Sequence, residues 1–158
     1  MTDTQKKPLW KNELVWLFLL TSGLFAILYS KFILGGYAYV FTDTGADTMQ
    51  INYAQYGLFS SLFRSGESGY VLQAGLGMDV SSYYPAYLIP YNLLILLAPQ
   101  RLLPWAVLAS AYLKMITISL VGYLFYRKLM QDGIGTMAAA LAWTFSGYVI
   151  LWGQHYGF

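Results

Sequence analysis

Apolar residues form four runs along this chain, and polar stretches separate them. The first run, residues 14–34, reads LVWLFLLTSGLFAILYSKFIL and is long enough to cross a hydrocarbon layer of about 30 Å as a helix. Three further runs lie at 84–98, 103–126 and 134–152. The pattern predicts an all-α integral membrane protein with about four transmembrane helices.

The stretch 35–83, between the first and second runs, is more polar and rich in glycine. Inside it, apolar residues recur at steps of three and four while polar residues fall between them, which is helical amphipathicity. The apolar positions are Met49, Tyr53, Tyr56, Phe59 and Phe63. We therefore expect a loop on one side of the membrane, with a helix from about Asp47 to Arg64 lying along the membrane surface.

Basic residues predict the orientation of these spans. Lys6, Lys7 and Lys11 precede the first run, so the positive-inside rule places residues 1–13 in the cytoplasm and the loop 35–83 outside. Four crossings would then leave Arg127 and Lys128 outside, against the same rule. A re-entrant 84–98 segment would bring that pair inside, and its shortness and two prolines are compatible with this. We favour four spans, because the first span is the strongest determinant of topology.

Composition agrees with a membrane protein and narrows the chemistry. The chain is 58% hydrophobic and only 10% charged, and its net charge of +2 is too small to indicate a nucleic-acid partner. Without cysteine it has no disulfide and no thiolate nucleophile, and its single histidine disfavours a metal site built by this segment alone. The last run ends close to Phe158, so we expect 1–158 to be one N-terminal transmembrane region of a larger protein.

Two carboxylates, Asp43 and Asp47, lie close together just after the first span, in FTDTGADTMQ. A turn at Gly45 would let both approach one point, where one carboxylate could act as a general base or cation ligand and the other could tune its pKa. Asp47 could instead cap the surface helix, since aspartate is a preferred N-cap residue. Spacing alone favours the cap.

Other polar residues are weaker candidates. Glu67 and Asp79 fit solvated loop positions, and Arg64 fits the C-terminal end of the surface helix, with contact to a phosphate as its second interpretation. His155 follows the last apolar run, where histidine often anchors at a membrane interface.

The order of these features resembles the N-terminal part of the bacterial YfhO family. The resemblance covers roughly residues 14–158 and is carried by four segments, which read DTGADTMQ, GLGMDVSSYYPAYLIPYNLLILLAP, LKMITISLVGYLFYRKL and FSGYVILWGQHYGF. It implies a GT-C-like fold in the bacterial plasma membrane. It also implies transfer of a sugar from a polyprenyl-phosphate donor to a surface polymer such as lipoteichoic acid on the outer face.

The same resemblance implies roles for single residues. The catalytic carboxylate of such enzymes lies just past the first span, which matches Asp47 best and Asp43 second, with Gln50, Arg64 and His155 as substrate-binding candidates. The implied partners are membrane lipid, the lipid-linked donor and the polymer acceptor, and a divalent cation is one candidate cofactor. Two alternatives stay open. The chain could be a transporter or flippase for lipid-linked envelope precursors, or a non-catalytic assembly protein.

Overall fold

A computed structural model of the chain describes residues 12–39, 53–66, 69–72, 77–79, 89–130 and 132–152. These residues are mostly helical. In chain order the elements are α1 (Glu13–Leu28), α2 (Ser30–Leu34), α3 (Tyr53–Ser65), β1 (Tyr70–Val71), β2 (Met78–Asp79), α4 (Leu93–Leu97), a 3-10 turn (Gln100–Leu102), α5 (Leu103–Leu129), α6 (Gly133–Thr144) and α7 (Gly147–Trp152).

The first predicted span corresponds to α1 and α2, which only Tyr29 separates. The Asn12 side chain begins α1 by accepting a hydrogen bond from the Leu14 N–H at 3.0 Å. The hydrogen-bond ladder continues through Tyr29, whose N–H donates to the Phe25 carbonyl and whose carbonyl accepts from Ile33. From Glu13 to Leu34 the two helices extend for about 33 Å, enough to cross a bilayer.

Two later helical stretches are long and apolar enough to cross a membrane by themselves: Gln100–Leu129 and Gly133–Leu151. Large apolar side chains are exposed on the first, among them Leu113, Leu120, Leu124 and Phe125, and on α1 as well. Such surfaces would be costly in water and are typical of helices that face lipid or other helices. The all-α membrane class is therefore supported, although the count of four spans is not confirmed.

Helices α1 and α5 run antiparallel, and polar contacts set their register. The Thr21 and Ser119 hydroxyls share a buried hydrogen bond of 2.9 Å. Nearer the N-terminus of α1, the Glu13 carboxylate accepts a hydrogen bond from the Tyr123 hydroxyl. The same carboxylate lies 3.7 Å from a guanidinium nitrogen of Arg127. The beginning of α1 and the end of α5 are thus at the same end of the bundle.

This arrangement bears on the predicted second span, 84–98. Its described residues, 89–98, are helical only over Leu93–Leu97, which is about 7 Å of helix. Arg127 also lies beside Glu13, at the end of the bundle from which α1 starts. The four-span count put Arg127 on the opposite side from that end, whereas the re-entrant alternative puts both on one side.

Helix α6 packs against the C-terminal half of α5. Asp132 caps α6 by accepting hydrogen bonds from the N–H groups of Ile134 and Gly135 at 3.2 and 2.7 Å. The two helices approach closely where Gly122 faces Ala140, since a Cβ placed on Gly122 would lie 3.8 Å from the Cα of Ala140. Small residues at this crossing let the backbones come together, as is common between membrane helices.

The predicted surface helix is present as α3 over its described part, and 47–52 lies outside the described residues. It packs against protein, because Tyr56, Phe59 and Leu62 are buried and Phe59 and Leu62 share a core with Leu96 of α4. The Ser60 hydroxyl donates to the Ala98 carbonyl at 2.6 Å. Phe63, a predicted member of the apolar stripe, is instead 39% exposed. Beyond α3, β1 and β2 form an antiparallel pair.

Candidate functional site

Four of the predicted site residues, Asp43, Asp47, Gln50 and His155, lie outside the described residues, as does Glu67. Arg64 is described, and it is exposed in the last turn of α3. It lies eleven residues beyond Tyr53, or about 16 Å along the helix. Asp79 is exposed in β2, opposite Tyr70. The described residues nearest to Asp43 and Asp47 are Tyr39 and Tyr53, which flank the stretch 40–52.

Tyr39 begins the stretch that carries the two aspartates, and its ring is anchored in the protein core. The chain turns at Gly35 and Gly36, where Gly36 has φ +67° and a Cβ on Gly35 would come within 2.5 Å of the Lys31 carbonyl. After this turn Tyr39 is only 3% exposed. Its ring packs edge-on against those of Tyr29 and Phe32, with centroids 5.2 and 5.3 Å away.

Tyr53, the first residue of α3, ties the other end of that stretch to the same place. Its hydroxyl donates a hydrogen bond to the Tyr39 carbonyl at 3.0 Å. Burial raises the pKa of Tyr53 to about 12, so the hydroxyl stays protonated and able to donate at physiological pH. The two residues that flank 40–52 are therefore directly joined.

A third and a fourth element meet Tyr39 at a small cavity. Lys114 of α5 and Val149 and Ile150 of α7 line this cavity together with Tyr39. Its volume, about 30 Å³, is enough for one water molecule. We call the group of Tyr39, Tyr53, Lys114, Val149 and Ile150 the Tyr39 junction.

Ser110 lies one helical turn before Lys114 on α5, so the two residues share a face of that helix. The Ser110 side chain is 0% exposed, and its hydroxyl has no hydrogen-bond partner among the residues that the structure describes. A buried hydroxyl without a hydrogen-bond partner is costly.

Sequence reasoning treated Lys114 only as one of several scattered basic residues. A signal was available, because Lys114 is the one charged residue in the apolar run 103–126. Ionisable residues within membrane spans are costly and mark functional positions more often than chance. The tyrosine pair that joins the ends of 40–52 had no comparable signal, because the chain contains 15 tyrosines.

The opposite end of the bundle has a different polar cluster. Glu13 contacts both Tyr123 and Arg127 of α5, and a side chain at Gly133 of α6 would collide with the Glu13 carboxylate. The Arg127 and Glu13 side chains are 42% and 36% exposed, so the ion pair is worth little by itself. This cluster joins three helices and contains none of the predicted site residues.

Within the described ranges, no three histidine, aspartate or glutamate side chains come together as a set that could hold a metal ion. Comparison of the chain with protein-family models, with curated proteins and with solved structures found no match.

Proposed function

We propose that this chain is part of a membrane glycosyltransferase that moves a sugar from a polyprenyl-phosphate donor to a polymer on the outer face of the bacterial plasma membrane. The proposal comes from the order of the sequence motifs. The observation that supports it best is the Tyr53 to Tyr39 hydrogen bond, which joins the residues on both sides of the Asp43 and Asp47 stretch against a buried aromatic core.

The proposed topology follows from the packing of α1 on α5. With the N-terminus in the cytoplasm, α1 with α2 crosses outward, α5 crosses inward, α6 with α7 crosses outward, and 84–98 does not cross. Arg127 and Lys128 then lie in the cytoplasm with Lys11, as the positive-inside rule requires. Tyr39, Tyr53 and the C-terminal end of α7 then lie toward the outer side. His155, three residues after α7, belongs to that side too.

In the proposed reaction Asp47 is the general base. It takes the proton of the acceptor hydroxyl while that oxygen forms a bond to the anomeric carbon of the sugar. The bond from this carbon to the phosphate oxygen breaks, and the phosphate leaves with the bonding electrons. Asp43 keeps Asp47 oriented and tunes its pKa, and Gln50 and His155 hold the sugar. A positive charge stabilises the leaving phosphate, and the sequence offers Arg64 and a divalent cation as candidates for it.

The test is Asp47→Asn in the full-length protein, expressed in a bacterial strain that lacks its own copy. We expect sugar addition to the surface polymer to fall by about 10² to 10⁴, because a general base contributes about that much. Asp132→Asn is the matched control, since it also neutralises one aspartate and can still cap α6. Full transfer by Asp47→Asn, at equal membrane abundance, would contradict the proposal.

A transporter or flippase is the second candidate, and the observation that favours it is Lys114 in the middle of a membrane-crossing helix. In proteoliposomes loaded with a labelled lipid-linked sugar, a flippase moves the label between leaflets and forms no glycosidic bond. A transferase produces a glycosylated acceptor. Detection of the glycosylated acceptor therefore distinguishes a transferase from a flippase.

A further inference from the structure

Lys114 places an ammonium group on α5 at the depth of a lipid bilayer, beside the small cavity at Tyr39. Lys114 lies eleven residues from the start of α5 and fifteen from its end, which places its Cα near the middle of a helix of about 40 Å. Side chains on an α-helix lean toward its N-terminus, which for α5 is the outer end in the proposed topology. The ammonium group is therefore carried from mid-membrane toward the outer side.

An apolar groove continues from Lys114 toward the other end of α5. Ile118 lines both the cavity beside Lys114 and the groove, so the two lie next to each other. Val121 and Phe125 of α5 and Trp143 of α6 line the groove further along, and its volume is about 550 Å³. Val121, Phe125 and Trp143 are 59%, 58% and 51% exposed, so the groove is open on the outside of the helix pair.

We propose that this face of α5 binds one phosphate-bearing lipid, with its phosphate at Lys114 and its hydrocarbon chain in the groove of Ile118, Val121, Phe125 and Trp143. A cation in a low-dielectric region attracts an anion strongly. The cavity at Lys114 admits one phosphate oxygen, and the larger groove takes the chain.

The lipid is assigned as the polyprenyl-phosphate donor, and in this respect the inference rests on the proposed function. Ordinary anionic phospholipids offer the same chemistry of phosphate and chain. The two sources differ in the length of the chain and in the charge of the phosphate, so binding measurements can separate them.

The head-group test uses the purified full chain in detergent, with bound lipid counted by native mass spectrometry. The probes are undecaprenyl phosphate, undecaprenol without the phosphate, and phosphatidylglycerol. We expect Lys114→Met to weaken undecaprenyl phosphate binding by about tenfold or more and Lys114→Arg to retain most of it. Lys31→Met is the matched control, because Lys31 is an exposed cation beside the same outer end of the bundle.

The groove is tested by Val121→Trp, which fills it from an exposed position and leaves the buried core unchanged. We expect weaker binding of undecaprenyl phosphate, while the same substitution at Leu120, which is 42% exposed and outside the groove, has no effect. Circular dichroism and size-exclusion chromatography establish that each variant is folded before binding is measured.

Loss of binding in Lys114→Met and Val121→Trp, with retention in Lys31→Met and Leu120→Trp, supports the site. Equal binding by Lys114→Met and wild type, or equal binding of undecaprenol and its phosphate, overturns it. Equal competition by phosphatidylglycerol supports a phosphate site and overturns its assignment to the donor.

Sugar transfer that survives Lys114→Met with unchanged binding overturns this inference alone. Specific lipid binding without any transfer contradicts the proposed function alone.

Discussion

Single oxygen atoms determine much of the local structure in this apolar chain, because few polar groups compete with them. Asn12 and Asp132 each accept hydrogen bonds from backbone N–H groups at a helix start, where four donors would otherwise lack partners. Both residues come directly before an apolar helical run, so both caps agree with general sequence rules. The Tyr53 to Tyr39 hydrogen bond joins residues fourteen positions apart, and no local pattern predicts it.

Asp132→Ala is expected to lower the free energy of unfolding by about 1 kcal/mol, because it leaves the N–H groups of Ile134 and Gly135 without their acceptor. Thermal unfolding in detergent, followed by tryptophan fluorescence, measures the change. Asp132→Asn should stay close to wild type, since an asparagine oxygen can accept the same bonds. Equal losses in both variants would show that the charge of Asp132, and not its capping oxygen, stabilises α6.

Tyr53→Phe is expected to cost about 1 kcal/mol at neutral pH, because it removes the donor to the Tyr39 carbonyl. The unfolded tyrosine ionises near pH 10, whereas burial holds the pKa of folded Tyr53 at about 12. Its contribution is therefore complete below pH 10 and is lost as the pH rises to about 12. The difference in melting temperature between wild type and Tyr53→Phe should narrow over this interval. A melting-temperature difference that stays constant from pH 10 to about 12 would contradict the hydrogen bond from Tyr53 to Tyr39.

Pairs of small and polar residues determine how the helices pack. Thr21 of α1 and Ser119 of α5 are both fully buried, and each hydroxyl is the other's partner. Two unpaired hydroxyls at this depth would be unfavourable, so the pair favours one register over its neighbours. The sequence predicted the bounds of the first and third runs well, with 103–126 found within Leu103–Leu129. It could not predict this pairing, which depends on tertiary contact.

Thr21→Val should destabilise the helix pair by about 0.6 kcal/mol, the average for hydrogen bonds between membrane helices, and more if the Ser119 hydroxyl finds no other acceptor. A double-mutant cycle with Ser119→Ala isolates the interaction, because the double variant leaves no unpaired hydroxyl. Unfolding by increasing sodium dodecyl sulfate gives the four free energies. Strict additivity of the two single variants would show that the hydroxyl pair contributes nothing.

At the scale of the whole molecule, the sequence leaves one point open, which is whether 84–98 crosses the membrane and therefore in which direction the later helices cross. Apolar length identified the long helices, and the positive-inside rule predicted their orientation. The two signals disagree on whether 84–98 crosses the membrane, because this segment is apolar yet short and holds Pro85 and Pro90. The packing of α1 on α5 bears on this point through a contact between residues more than 100 positions apart. The same packing brings Lys114 beside Tyr39 and α7. Because these residues are far apart in the sequence, their spacing along the chain could not predict the Tyr39 junction.

This topology can be tested cleanly, because the chain contains no cysteine and any single introduced thiol can be labelled without background. Arg101 lies just before α5 and Lys128 lies in its last turn, and both are exposed, so Arg101→Cys and Lys128→Cys should leave the fold intact. In intact cells a membrane-impermeant maleimide should label Arg101→Cys only. After permeabilisation it should label both, because the proposed topology places Lys128, next to Arg127, in the cytoplasm with the start of α1. A four-span chain reverses the pattern, with Lys128→Cys labelled in intact cells and Arg101→Cys protected. That result would also move the end of α7 away from the outer face, and His155 could then not act beside Asp47.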